Sequence, residues 1–182
     1  MAASVPHFHL PPFFTLQPVA ATRAEQLVLW RRCVLEHCRD TRRVSLPVGA
    51  AAAGPPFAND QIDRRLDEQA RLTVAAALVA AGEAQWVAKA GDPLLLVWWR
   101  PIKHWADELS QHLRAGGASG VFTMAELKSA DADGPLRGSE LFGLGSNLVR
   151  AAVAELVRTG RAATFGAKPV GGDDDEVGVK LL

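Results

Sequence analysis

Hydrophobic residues recur with a helical period over several stretches of the chain, and short apolar runs joined by turn residues interrupt this pattern twice. The first helical stretch begins at Thr22, which has the spacing of a capping box with Glu25. Trp30, Val34 and Cys38 then follow four residues apart and predict one apolar helix face. We therefore predict an amphipathic helix at this point.

The next stretch predicts a strand, two helices and a hairpin. Arg64 is expected on the shorter of the two helices, and Leu72, Ala76 and Val79 on the buried face of the longer one. The predicted elements are, in order, a strand at 44–46, a short helix capped by Asn59, a longer helix from Asp67 to the stop signal Gly82, and a hairpin over 85–99.

The same order of elements recurs in the second half of the chain. Its predicted elements are a helix from Pro101, a strand at Val121–Phe122, a capping box at Thr123–Glu126, a helix from Ser146 to Gly160, and a hairpin over 162–182. The helix-ending glycines Gly82 and Gly160 are 78 positions apart, so a unit of about 80 residues is repeated. Three helices followed by a hairpin predict an α+β fold of two tandem winged-helix domains, at 22–100 and 101–182.

The first 21 residues contain four prolines and no periodic pattern. Proline restricts the backbone and donates no hydrogen bond, so we expect an extended, proline-rich N-terminal arm over 1–21. Phe13 and Phe14 follow Pro11 and Pro12 within it and need to be buried. We interpret them as anchors for a partner protein; the alternative is that they fold back on the first domain of this chain.

Composition limits the classes of function. Lys and Arg total 20, as do Asp and Glu, and 48% of residues are hydrophobic. Zero net charge argues against a chain built chiefly to bind nucleic acid or anionic membrane. Winged helices often bind DNA, so a nucleic-acid-binding or transcription-complex component is the alternative. In each predicted domain, the helix before the hairpin occupies the position of the DNA-recognition helix. These two helices contain few cationic residues, with Arg71 in one and Arg150 and Arg158 in the other.

No sequence motif indicates catalysis. Neither a nucleophile elbow nor a phosphate-binding lysine loop is present, so we expect no enzyme, no catalytic residue and no cofactor. Cys33 with His37, and His104 with Glu108 and His112, share helix faces, but solvated surface is the preferred interpretation and no metal site is predicted. With two cysteines and no signal-peptide pattern, the protein is expected in a reducing compartment, the cytoplasm or the nucleus.

The sequence resembles the small-subunit family of the ESCRT-II complex over nearly its whole length. The most specific motif runs from Pro11-Pro12-Phe13-Phe14 to Pro18. Further matches are Thr22-Arg23, Gln26-Leu27 with Trp30, Phe57-Ala58-Asn59 with Ile62 and Arg64, Trp99-Arg100-Pro101 with Trp105, Val121-Phe122-Thr123 with Glu126-Leu127, Gly143-Leu144, and Gly178 to Leu182.

The resemblance implies a pair of winged helices and a non-enzymatic adaptor in the sorting of ubiquitinated cargo into multivesicular bodies. Two copies of such a subunit join one copy each of two larger ESCRT-II subunits, and the complex reaches the endosome membrane. Membrane contact is then indirect, through the complex. By the resemblance, Pro11, Pro12, Phe13, Phe14 and Arg64 bind the larger subunits. Thr123 lies in the surface that binds a helix of the nucleating ESCRT-III subunit.

Overall fold

The computed structural model describes residues 5–50, 52, 54–87, 93–116, 120–131, 133–166 and 174–182. The chain forms two compact units, Met1–Trp99 and Arg100–Leu182. Each unit has its own helices, its own three-stranded antiparallel sheet and its own buried side chains. Among the described residues, no helix is both long enough and apolar enough to span a bilayer.

In its described residues, the first unit combines a short 3₁₀ turn with two helices and five strands. Strand β5 lies in the centre of the main sheet, in the order β1-β5-β4, and β2 pairs with β3 in a separate ribbon. The elements are the 3₁₀ turn (Pro11–Phe14), α1 (Ala20–Asp40), β1 (Ser45–Pro47), β2 (Ala58–Asn59), β3 (Arg64–Arg65), α2 (Glu68–Ala80), β4 (Ala84–Val87) and β5 (Leu94–Val97).

Two predictions about the first unit are wrong in detail. Helix α1 begins at Ala20 with Val19 at its N-cap and no side-chain cap, so the Thr22–Glu25 pair does not open it. The short helix predicted after Asn59 is replaced by the β2–β3 ribbon. The side chain of Asn59 is occupied elsewhere, since its amide donates to the carbonyl oxygen of Phe8 at 2.9 Å.

Helix α2 has the predicted ends but a different buried face. The carboxylate of Asp67 accepts a hydrogen bond from the Ala70 N–H at 2.8 Å, which confirms the predicted N-cap. Gly82 follows the helix with a φ of +71°, a conformation that favours glycine. The expected inward positions are displaced by about one residue, because Ala70, Arg71, Val74, Ala75 and Leu78 are buried while Ala76 is exposed.

The second unit has the complete winged-helix order of elements. Its sheet has the order β6-β8-β7, with both pairs of neighbours antiparallel. The elements are α3 (Ile102–Ala115), β6 (Val121–Thr123), α4 (Met124–Lys128), α5 (Ser146–Arg158), β7 (Ala162–Phe165) and β8 (Gly178–Leu181). The predicted turn residues 171–173, like those at 89–92, lie outside the described residues.

In the second unit, the structure agrees closely with the helix-capping and burial patterns predicted from the sequence. Thr123 and Glu126 form both hydrogen bonds of the predicted capping box. Ser146 was expected to cap helix α5 but is its first residue, so the helix starts one residue earlier than expected, with Gly145 in the cap position. Its inward residues Val149 and Val153 are buried as predicted.

The core of each unit contains one fully buried tryptophan. Trp30 lies in the first core and Trp105 in the second. The other largest fully buried residues are Phe57, Leu66, Leu78 and Leu95 in the first unit, and Leu109, Leu127, Leu141, Leu148 and Leu156 in the second. Each unit therefore buries enough apolar surface to hold its own helices and sheet together.

Candidate partner-binding surfaces

The N-terminal segment is not an extended arm over its described residues. Residues 6–9 form a turn, and Pro11–Phe14 form the 3₁₀ turn against α1. Phe13 and Phe14 are 6% and 4% exposed and belong to the core of the first unit. The expectation of two exposed aromatic anchors is therefore wrong, and their folding back on this chain is what the structure shows.

Aromatic stacking holds the two phenylalanines on α1. The ring of Phe13 stacks on Trp30 with centroids 4.4 Å apart, and Phe14 meets the same indole edge-on at 5.4 Å. Phe8 packs against Phe14 at 5.5 Å. Such pairs contribute about 0.5–1.5 kcal/mol each beyond the area they bury. The segment is thus an integral part of the first core.

Hydrogen bonds from α1 fix the backbone of the same segment. The Gln26 amide donates to the carbonyl oxygens of Phe13 at 2.9 Å and Thr15 at 3.0 Å, and its own oxygen accepts from the Gln17 N–H at 3.0 Å. The Trp30 indole N–H also donates to the carbonyl oxygen of Phe13, at 3.2 Å. From the sequence, Gln26 was known only as part of the family resemblance and had no predicted role. Its signal is a polar residue among buried positions of an amphipathic helix.

The exposed part of the segment is the outer side of the 3₁₀ turn. Pro11 and Pro12 are exposed, and Leu10 beside them is 50% exposed. A groove of about 270 Å³ lies between this turn and α1, with Leu10, Pro12 and Leu29 among its lining residues. This arrangement presents a rigid, proline-rich apolar surface.

Arg64 lies close to this surface. It belongs to β3, which packs against the 3₁₀ turn, and its guanidinium donates to the neighbouring Asp63 carbonyl oxygen at 2.9 Å. The side chain is exposed to solvent. The structure therefore places the strand that carries Arg64 beside the 3₁₀ turn that carries Pro11 and Pro12, while Phe13 and Phe14 are buried beneath that turn.

Thr123 lies at the junction of β6 and α4. Its hydroxyl accepts from the Glu126 N–H at 3.2 Å and donates to the Glu126 carboxylate at 3.0 Å, which also accepts from the Thr123 N–H at 2.7 Å. Hydrogen bonds from the Thr123 backbone and hydroxyl lower the pKa of the Glu126 carboxyl. Thr123 is half-buried, and in this structure its side chain caps the start of α4.

A cluster of ion pairs joins the end of the second hairpin loop to two helices. The carboxylate of Asp174 accepts from the Arg150 guanidinium at 2.8 and 2.9 Å and from Lys128 Nζ at 2.7 Å. Lys128 also pairs with Asp175. The hydrogen bonds from Arg150, followed by those from Lys128, hold the pKa of the Asp174 carboxyl well below its ordinary range. The cluster links Asp174 and Asp175, which precede β8, to α4 and α5.

The arginines of α2 and α5, the helices in the recognition position, form hydrogen bonds or ion pairs within their own units. Arg71 is buried in α2 and donates to the carbonyl oxygens of Val48, Leu66 and Gly49 at 2.6–3.0 Å. In α5, Arg150 is held by Asp174 and the exposed Arg158 pairs with Glu155 at 2.6 Å. Neither helix presents the excess positive charge that phosphate contacts require.

The thiols and histidines form no centre suited to metal chemistry in the described part of the chain. No group of three or more His, Cys, Asp or Glu side chains there could hold a metal ion. Burial raises the pKa of the Cys33 and Cys38 thiols to about 12, so neither is a ready nucleophile. His104 instead lies beside the Arg100 guanidinium, at 2.6 Å.

Two units with the winged-helix order of elements, one after the other in the chain, define the class of tandem winged-helix proteins. Solved structures share this fold. The crystal structure of subunit VPS25 of the endosomal trafficking complex ESCRT-II superposes with a TM-score of 0.77 at 19% identity, covering 97% of this chain and 98% of that chain. A chain in the structure of the ESCRT-II endosomal trafficking complex gives 0.76 at 18% identity, with both chains fully covered.

Sequence comparison gives the family. The family model described as ESCRT-II complex subunit matches residues 7–144. Vacuolar protein sorting-associated protein 25 of Arabidopsis thaliana is 36% identical over 171 residues, which cover 93% of this chain and 91% of the relative. The protein of that name in Homo sapiens is 34% identical over 125 residues, covering 68% and 70%. The chain belongs to the vacuolar protein sorting-associated protein 25 family of ESCRT-II complex subunits.

Proposed function

We propose that this chain is a non-enzymatic adaptor that joins the two larger subunits of ESCRT-II to the nucleating subunit of ESCRT-III. It acts from the cytoplasm and reaches the endosome membrane through the complex, in the sorting of ubiquitinated cargo into multivesicular bodies. The observation that carries the proposal is the match of residues 7–144 to the ESCRT-II subunit family. One solved relative is described as part of the endosomal complex ESCRT-II (VPS22/VPS25/VPS36).

The surface for the larger subunits is the outer side of the 3₁₀ turn. Pro11 and Pro12 supply stiff apolar contacts there, and exposed Arg64 supplies a nearby charge. Phe13 and Phe14 act indirectly, since their contacts with Trp30 hold the prolines in place. A pre-ordered surface loses little conformational entropy on binding, which favours affinity.

The surface for ESCRT-III belongs to the second unit and includes Thr123. Separate cores allow the two surfaces to act independently. Binding through both units of one chain brings the two sets of partners together by effective concentration, without a chemical step. The internal use of Arg71 and Arg150 supports this adaptor role over nucleic-acid binding.

Size-exclusion chromatography with light scattering tests the first surface. The full chain is mixed with the two larger subunits, and a variant with Pro11→Asp and Pro12→Asp is compared with the control Val28→Asp, which changes an exposed α1 residue. We expect the control to assemble like the wild type and the proline variant to elute alone with unchanged circular dichroism. Assembly of the proline variant would remove these residues from the interface. Failure of the wild type to assemble would overturn the proposed function.

A further inference from the structure

Two exposed arginines precede a half-buried serine where α1 leads into β1. Arg42 and Arg43 follow the helix, and Ser45 is the first residue of the strand. The N–H of Arg42 donates to the carbonyl oxygen of Arg39 at 3.1 Å, and that of Arg43 to Cys38 at 2.9 Å. With a φ of +51° at Arg42, these bonds form a Schellman helix end. The backbone is therefore fixed at both cations, three and two residues before the serine.

The side chain of Ser45 lies on the outer face of the first sheet. Val44 and Leu46 on either side of it are buried, at 3% and 5% exposure. Successive side chains on a strand point to opposite faces, so the Ser45 hydroxyl points away from the core. The strand register places Ser45 in one row with Leu96 of β5 and the exposed Gln85 of β4.

Strand β1 is a short edge strand. Among the described strands it pairs with β5 alone, through the three residues Ser45–Pro47. The Val97 N–H donates to the carbonyl oxygen of Val44 at 2.7 Å. In an antiparallel pair the next residue turns its own N–H and C=O away from the partner strand, so the backbone groups of Ser45 face the open edge. Local opening of three edge residues requires much less free energy than unfolding of the whole unit.

These features fit the substrates of basophilic protein kinases. Such kinases bind the residues around the acceptor serine in an extended conformation, and carboxylates in their substrate groove pair with arginines that precede it. Ser45 with Arg42 and Arg43 supplies this pattern on a strand that is already extended. Because Val44 and Leu46 are buried, the segment must lift from β5 while the kinase holds it.

We propose that Ser45 is a phosphorylation site for a basophilic serine/threonine kinase that uses ATP. The Ser45 hydroxyl oxygen forms a bond to the γ-phosphorus of ATP, and the bond from that phosphorus to the β,γ-bridging oxygen breaks, so ADP leaves. The hydroxyl proton passes to a base of the kinase. The phosphate adds about 1.5–2 negative charges, which offset the positive charges of Arg42 and Arg43 at the end of α1. This site is independent of the proposed adaptor function.

Phosphorylation of the full chain in vitro tests the site. The probe is the catalytic subunit of cyclic-AMP-dependent protein kinase with Mg²⁺ and ATP, and mass spectrometry locates the phosphate. We expect one phosphate at Ser45 in the wild type and none in Ser45→Ala. The double variant Arg42→Gln, Arg43→Gln should react at least about tenfold more slowly, because its charge-assisted contacts with the kinase are lost. The control Arg65→Gln, Arg137→Gln removes two other exposed arginines and should react like the wild type.

A synthetic peptide of residues 39–49 separates recognition of the segment from access to it. We expect this peptide to react faster than the folded chain, because no sheet has to open first. Circular dichroism verifies that the variants fold like the wild type. Phosphorylation of the peptide but not of Ser45 in the folded chain would overturn the proposal, as would no reaction of either. A rate at Ser45 that the Arg42 and Arg43 variant leaves unchanged would also contradict it.

Discussion

The ring of Phe13 lies nearly parallel to the indole of Trp30, with centroids 4.4 Å apart and planes inclined by 12°. The same indole donates its N–H to the carbonyl oxygen of Phe13 at 3.2 Å. Ring and backbone of one N-terminal residue are therefore both held by one side chain of α1. Because Trp30 is fully buried, this contact makes the N-terminal segment part of the first core.

Replacing Phe13 and Phe14 together by Asp should destabilise the first unit itself. Phe→Ala changes in a core typically remove about 3–5 kcal/mol, and a buried unpaired carboxylate adds to that loss. Urea unfolding followed by circular dichroism measures the effect, with Val28→Asp as the exposed control in the same unit. An unfolding midpoint equal to that of the wild type would show that the segment is not part of the core.

Gln26→Glu tests the hydrogen bonds that fix the segment. The substitution has nearly the same shape, but a carboxylate facing the Phe13 and Thr15 carbonyl oxygens donates nothing. We expect a loss of about 2 kcal/mol in the free energy of unfolding at neutral pH. The loss should shrink in acid, where the protonated carboxyl donates again. Glu25→Gln, at an exposed neighbouring position, serves as the control; equal stability of all three proteins would contradict the account.

Asp174→Asn tests the ion-pair cluster and its pH dependence. The folded-state pKa of Asp174 is depressed by Arg150 and Lys128, so its stabilisation is complete above the unfolded value of 3.8 and is lost as pH falls below it. The variant should lose about 1 kcal/mol at pH 7, a value reduced for partial exposure. The difference from wild type should persist down to about pH 4 and vanish in stronger acid.

Thermal unfolding at a series of pH values measures this difference. Asp133→Asn is the control, since that carboxylate is fully exposed and lies 3.7 Å from its arginine partner. A difference between Asp174→Asn and wild type that grows as the solution is acidified would show that the cluster does not act in this way.

Duplex DNA should bind the chain weakly. Non-specific DNA-binding proteins have dissociation constants of roughly 10⁻⁴–10⁻⁶ M at physiological salt, which they reach through phosphate contacts. With Arg71 buried and Arg150 held by Asp174, we expect weaker binding with little salt dependence. Fluorescence anisotropy with a labelled duplex measures it. Tight binding that falls steeply with salt would favour a nucleic-acid-binding role.

Signals that act within a few residues were predicted best from the sequence. Asp67 caps α2, Thr123 and Glu126 form the capping box, and Gly82 and Gly160 follow their helices with φ near +70°. These signals depend on hydrogen bonds and backbone conformations that neighbouring residues determine. They were sufficient to recover the repeat and the winged-helix class.

Features that depend on distant residues were predicted poorly. Phe13 and Phe14 were assigned to a partner because nothing near them in the sequence buries them, whereas Trp30 does so 17 and 16 residues later. Asn59 was expected to cap a helix, but its side-chain amide donates a hydrogen bond to the carbonyl oxygen of Phe8. The hydrophobic periodicity of the sequence indicates which residues are buried, but it does not show which residues they contact.

The bridging role is tested most directly by a retention assay. The two larger ESCRT-II subunits are immobilised together, and retention of the labelled nucleating ESCRT-III subunit is measured with and without this chain. The adaptor account predicts retention that requires the chain, saturates with it, and is lost when Pro11→Asp and Pro12→Asp are introduced. Equal retention in the absence of the chain, or none in its presence, would contradict the account.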